Sequence, residues 1–145
     1  MFAADLIKLE LSATDKIEAI RELANLAVTA GRGTNADEIV DDVLARDKMG
    51  TPQFDGVAIP HARTGGIRSA TVLIGRSSSG VVFDPEEPSA DLIFMILVPK
   101  GDSDEYITIL SRLSRRLMDP AFTVALRNSA TSEELVAVLE NGDKQ

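Results

Sequence analysis

The spacing of apolar positions changes along the chain and divides it into elements. The stretch Leu6-Ile7-Lys8-Leu9-Glu10-Leu11 alternates loosely, which predicts a strand. Thr14 reads as an N-cap. Ile17, Ile20, Leu23, Ala24, Ala27 and Val28 then recur at helical spacing until Gly31 and Gly33 end the pattern. A second helix is predicted from Asn35, with Glu38 as its capping-box partner. Its apolar face is Ile39, Val40, Val43 and Leu44, and its end lies near Met49-Gly50. From Gly50 to Gly56 the residues are those of a loop. Val57-Ala58-Ile59 is a short apolar piece halted by Pro60, and Thr64-Gly65-Gly66 is a further loop. Ala70 to Ser77 predicts a strand, Ser77-Ser78-Ser79-Gly80 a turn, and Val81-Val82-Phe83 a short strand beyond it. Pro85 and Pro88 mark an exposed loop. Leu92 to Val98 is the most apolar segment and has the composition of a strand covered on both faces.

The last third is helical. Tyr106, Ile109, Leu110, Leu113 and Leu117 form one stripe. Asp119-Pro120 restarts a helix, with Asp as N-cap and Pro at the first helical position. Thr131 and Glu134 form another capping box, leading into Leu135, Val138 and Leu139. Asn141 to Gln145 reads as a tail or linker. No repeat, low-complexity run or domain boundary interrupts the series. The expectation is one α/β domain over residues 1–145: a mixed parallel/antiparallel sheet with helices on both faces, a three-layer sandwich. The short Ser77–Gly80 link is the reason to expect antiparallel pairing in it.

Composition narrows the possibilities. Hydrophobic residues make up 44% of the chain, enough for an ordinary core, yet no apolar run approaches the roughly 20 residues that span a bilayer. Asp5 and Lys8 sit within the first apolar stretch, and the basic start and small-residue cleavage site of a secretory signal are missing. These features predict a cytoplasmic protein with no direct membrane insertion. The absence of cysteine excludes a disulfide framework, a thiol nucleophile and thiolate zinc sites. Lys and Arg number 15 against 23 Asp and Glu, a net charge of −8. That balance argues against nucleic acid as a partner. It suits either a basic protein surface or simple solubility.

The single histidine, His61, is the main candidate for chemistry. Pro60 fixes its own backbone angle and restricts Ile59, so the imidazole is expected at the end of a short buried strand. Ala62 leaves room beside it and Arg63 adds positive charge. From the residues alone, a packed structural histidine and a functional one are both open. One histidine with scattered carboxylates offers no metal-ligand spacing. No Gly-x-Ser-x-Gly elbow supports a serine hydrolase, and neither Gly65-Gly66 nor Gly31-x-Gly33 is a phosphate loop. Asp37, Asp41, Asp42 and Asp47 read as a solvated helix face. Arg112, Arg115 and Arg116 give a later helix a basic side.

Gly56-Val57-Ala58-Ile59-Pro60-His61 resembles the G-[IV]-A-[IL]-P-H signature of the fructose/mannitol/nitrogen-regulatory class of enzyme IIA in the bacterial sugar phosphotransferase system. Leu44 to Thr51 is similar to the family's L-x-R-E-x-x-G-S/T stretch. Asp91-Leu92-Ile93-Phe94, Pro99-Lys100-Gly101 and Asp119-Pro120-Ala121-Phe122 also fit, so the resemblance covers almost the whole chain. It implies that His61 accepts a phosphoryl group from the carrier protein HPr and passes it to a cysteine of enzyme IIB. The output would be uptake of a fructose-like sugar, with no metal or organic cofactor. The same resemblance admits a regulatory enzyme IIA, or a degenerate sensor domain that no longer transfers phosphate. Arg46 matches the family's arginine and is the expected phosphate clamp, since its planar fork suits phosphate oxygens. Thr51 matches the family's Ser/Thr as a hydrogen-bond donor. Arg63 and Phe54 are expected to face a partner or cover the site. Many members carry a second histidine in a D-x-H-L pattern, but here Asp104-Glu105-Tyr106-Ile107 puts Tyr106 in that place. A phenol donates a hydrogen bond but carries no positive charge. The whole reading expects the imidazole to be reachable at the rim of the sheet.

Overall fold

A computed structural model describes residues 2–101 and 103–143. In chain order the elements are a 3-10 turn (Ala4–Leu6), β1 (Ile7–Lys8), α1 (Lys16–Thr29), α2 (Ala36–Asp47), β2 (Gln53–Phe54), β3 (Val57–Ala58) and β4 (His61–Arg63). They continue with β5 (Thr71–Val81), β6 (Ala90–Val98), α3 (Ser103–Leu117), α4 (Pro120–Asn128) and α5 (Ser132–Asp143).

The most apolar segment becomes the spine of the sheet. Leu92 to Val98 in β6 are 0% exposed, because β6 has strands on both edges and helices on both faces. β5 pairs with it antiparallel on one side; β3 and β4 pair with it parallel, end to end, on the other. β1 adds parallel to β5, and β2 adds antiparallel to β3. Alternate side chains along β6 feed two cores. Ile93, Met95 and Leu97 pack with the apolar stripes of α1 and α2. Leu92, Phe94, Ile96 and Val98 pack with those of α3, α4 and α5. The chain is therefore a single domain with an open, mixed, six-stranded sheet between two helical layers, as the sequence pattern predicts.

Several local expectations change. The first strand is two residues rather than six. Beyond Lys8 the chain bends out of the ladder, and Leu11 fills the space that Gly75 leaves; a Cβ there would come within 2.7 Å of Leu11 Cδ1. The cap of α1 is Asp15, not Thr14: the Asp15 carboxylate accepts from the Glu18 N–H. Thr14 instead accepts the Val82 N–H through its carbonyl. The other caps form as predicted, with Asn35, Asp119 and Thr131 accepting from the N–H groups of Glu38, Ala121 and Glu134.

Ser77–Gly80 is not a turn between two strands. It lies within β5 as an irregularity in which the four residues between Arg76 and Val81 stand against one, Asp91, between Leu92 and Ala90. The Ser77 hydroxyl accepts the Gly80 N–H and holds the excess residues. The antiparallel pairing is real but is closed by the Val82–Ser89 loop. The Gly50–Gly56 segment, expected as loop, contains β2 and the turn of its hairpin with β3. Its Asp55-Gly56 turn has φ of 50° and 80°, the backbone of a two-residue hairpin turn that Asp-Gly favours. At the far end, α5 extends over Asn141–Asp143; the rest of the expected tail, Lys144 and Gln145, lies outside the described residues.

Candidate functional site

His61 begins a strand rather than ending one. Proline has no N–H to give a ladder, so the β3 line breaks at Ile59-Pro60 and resumes as β4. His61 then stands opposite Ile96, and the Pro60 carbonyl accepts the Ile96 N–H. β2 pairs with β3 but does not extend beside β4, so β4 lies along the sheet's edge.

The break has a chemical consequence. It frees the Ile59 carbonyl, which lies 2.8 Å from His61 Nδ1. A carbonyl can only accept, so Nδ1 must carry the proton. Nε2 is then left with its lone pair. That nitrogen is buried and has no hydrogen-bond partner. Burial pushes the imidazole pKa below its ordinary value; the Ile59 carbonyl opposes this, and the Arg46 guanidinium adds to the lowering. The ring is thus held neutral, in the tautomer whose free nitrogen is Nε2.

The ring is only 2% exposed, which corrects the expectation of a reachable imidazole. Tyr106 packs against it. Its ring centroid lies 5.5 Å from that of His61 with the planes inclined at 47°. The Arg63 guanidinium sits 4.6 Å from the Tyr106 centroid. Three predicted residues, His61, Tyr106 and Arg63, therefore form one stack. Arg46, in the last turn of α2, joins through its field. Its Nη1 donates to the Gly50 carbonyl at 3.0 Å, and its charge is felt at His61.

Thr51 and Phe54 have partners of their own. The Thr51 hydroxyl donates to Asp47, whose other oxygen pairs with Lys16 at 2.6 Å, and Thr51 lines a cleft with Lys16, Asp84 and Glu87. Phe54 pairs with Val57, which lies opposite Leu92; His61 lies opposite Ile96. Four residues along a strand put Phe54 about 13 Å down the sheet from the imidazole. It packs on the α3–α5 core. Sequence reasoning missed the Ile59 carbonyl. Its signal was present, because the residue before a proline that breaks a strand keeps its acceptor while its neighbour loses a donor. Among the described residues, no group of three or more His, Asp or Glu is placed to hold a metal ion, and no helix is long and apolar enough to cross a membrane.

Residues 1–142 match the family described as the phosphoenolpyruvate-dependent sugar phosphotransferase system, EIIA 2. The chain is 41% identical over 116 residues to a fructose-specific EIIA component of Haloferax volcanii, covering 79% of this chain and 75% of that one. It is 27% identical over 140 residues to a fructose-specific EIIABC component of Bacillus subtilis, covering 95% of this chain but 22% of that longer protein. Among solved structures, the nitrogen regulatory protein IIA-Ntr of Neisseria meningitidis superposes with a TM-score of 0.85 at 27% identity, covering 95% of each chain.

Proposed function

The chain belongs to the EIIA 2 family of the phosphoenolpyruvate-dependent sugar phosphotransferase system, and from that premise we propose that it is a phosphoryl carrier with Nε2 of His61 as the acceptor atom. The donor is the phosphohistidine of HPr and the recipient is a cysteine of an enzyme IIB domain, serving uptake of a fructose-like sugar. The likeness to a fructose-specific EIIA supports the sugar class, and the fused EIIABC relative supports a IIB partner.

One observation carries this reading: a buried neutral imidazole whose Nδ1 is occupied by a backbone carbonyl while Nε2 has no partner. A buried polar atom is normally satisfied. An unsatisfied lone pair on the chain's only histidine is a nucleophile waiting for an electrophile. In the forward step the Nε2 lone pair forms a bond to phosphorus as the donor's N–P bond breaks and its electron pair returns to the donor imidazole. No proton leaves His61 from Nε2, because the Ile59 carbonyl already holds the ring's proton on the other nitrogen. Positive charge that develops on the ring is shared with that carbonyl. Arg46 supplies cationic charge for the equatorial oxygens and Arg63 a second source at the mouth, the positioning that phosphoryl transfer requires. Thr51 holds the segment after Arg46 through Asp47.

Incubation with phosphorylated HPr, followed by mass spectrometry, should place one phosphoryl group on His61, and His61→Ala should take none. A variant labelled as readily as wild type would reject the assignment. The likeness to IIA-Ntr favours a second reading, a regulatory protein whose phosphorylation state controls binding. Discharge of the phosphoprotein by a IIB domain separates the two: rapid loss marks a transport relay, persistence a regulator.

A further inference from the structure

Resting on the carrier reading, we propose that Tyr106, clamped by Arg63, is a specificity element that withholds Nε2 from small phosphoryl donors and yields it only to a docking protein. The nucleophilic nitrogen is buried although it sits on an edge strand, where solvent would otherwise reach it. The Tyr106 ring is itself 8% exposed and anchored in the α3 stripe with Ile109 and Leu113. The guanidinium of Arg63, an exposed residue whose backbone is fixed in β4, lies 4.6 Å from the ring centroid. The chain thus holds the ring from both ends, through its helix and through the strand that bears the histidine.

Such a stack opens only at a cost. The ring must leave His61, and the guanidinium must lose its aromatic face. A small donor has few contacts with which to offset that cost. A protein donor has a whole docking surface, and its own phosphate gives Arg63 a stronger partner than the ring. Displacement therefore couples access to docking. The same motion that uncovers Nε2 carries a guanidinium from the phenol to the arriving phosphoryl oxygens. The tyrosine is fitted to this task because it is a flat, uncharged ring that a cation holds without an ion pair.

The composition makes the test clean, since His61 is the only histidine, Tyr106 the only tyrosine, and the chain has no cysteine or tryptophan. Diethyl pyrocarbonate, which acylates unprotonated imidazole, reports access to His61 without any partner. Wild type should react slowly, and Tyr106→Ala about tenfold or more faster, the scale of one lost aromatic and cationic contact. Tyr106→Phe should stay slow, because the ring and not the hydroxyl forms the cover. Arg63→Ala, a surface change that leaves the core intact, should react at an intermediate rate. The functional arm uses phosphoramidate, in which Nε2 attacks phosphorus as the donor's N–P bond breaks and the pair leaves with ammonia. Its rate relative to phosphorylated HPr should rise about tenfold in Tyr106→Ala, a change of selectivity that a merely structural residue would not cause. Wild-type His61 acylated as fast as free imidazole, or no acceleration in either Tyr106→Ala or Arg63→Ala, would overturn the proposal. Acceleration by the reagent with no labelling of any form by either donor would leave the cover standing and sink the carrier reading instead.

Discussion

Two polar centres lie against the sheet, and they differ in how completely they are satisfied. Arg76, in β5, reaches across to the C-terminal end of α4. Its Nη1 lies 3.1, 3.0 and 2.7 Å from the carbonyls of Leu126, Arg127 and Ser129, and its Nε donates to Leu9 at 3.4 Å. It closes helix carbonyls that would otherwise lack donors. Beside it Arg127 pairs with Asp91 and donates to the Asp55 carbonyl, tying the β2–β3 turn to the same helix. Every one of these contacts joins two parts of the chain. His61 is the opposite case. One ring nitrogen is bonded to backbone and the other to nothing. A saturated centre stabilises the fold. A centre that stops one bond short keeps a reactive atom in reserve.

The contrast is broken most severely by exchanging the roles. His61→Ala should abolish phosphoryl transfer and leave the chain folded, at a cost of about 1 kcal/mol, because only one of the two ring nitrogens is hydrogen-bonded. Thermal unfolding alongside a labelling assay checks both halves. Arg76→Ala should do the reverse, costing about 2–3 kcal/mol of stability through helix carbonyls left without donors, with transfer retained in the folded fraction. Denaturant titration measures it.

Arg46→Ala sharpens the comparison at the site itself. Removing a positive neighbour should raise the His61 pKa toward its ordinary value, visible as a shift in the NMR titration of the single imidazole. Transfer should slow by about 10- to 100-fold as phosphate-directed charge is lost. In wild type the folded pKa is depressed, so the neutral ring and its share of stability are fully present above the unfolded value of 6.5. Both are lost as pH falls through the folded value. Transfer should therefore hold through neutrality and fail only on acidification below the usual imidazole range. The smallest effect belongs to Thr51→Ala. Its hydroxyl is committed to Asp47, which puts it on the structural side. The change should cost about 1 kcal/mol and alter transfer far less than Arg46→Ala does.

The sequence was most legible where one physical requirement dominated. Leu92–Val98 had to be a central strand because nothing else buries seven consecutive apolar residues in so short a piece. Asn35, Asp119 and Thr131 announced their helices because an orphan N–H needs an acceptor nearby. Legibility failed where two local solutions competed. Thr14 and Asp15 are both good caps, and Thr14 lost because its backbone was recruited by Val82. The Ser77–Gly80 run has turn composition, but a serine hydroxyl closing on Gly80 suits a bulge equally well. At the site, the hexapeptide around His61 pointed to the proposed nucleophile and the resemblance to Arg46 as its proposed phosphate clamp. The resemblance also named Tyr106, but the burial of His61 beneath a helix some 45 residues later was beyond reading, since it depends on how that helix meets β4. Arg76 escaped notice for the same reason: its partners are backbone atoms about 50 residues away.

In the proposed carrier, the Ile59 carbonyl selects Nε2 as the atom that receives phosphate. NMR of the phosphorylated protein, with the imidazole nitrogens labelled, reads the position of the P–N bond directly. Phosphorus is expected on Nε2, with Nδ1 still protonated toward Ile59. Phosphorus on Nδ1, or a phosphoryl group on any residue other than His61, would contradict it.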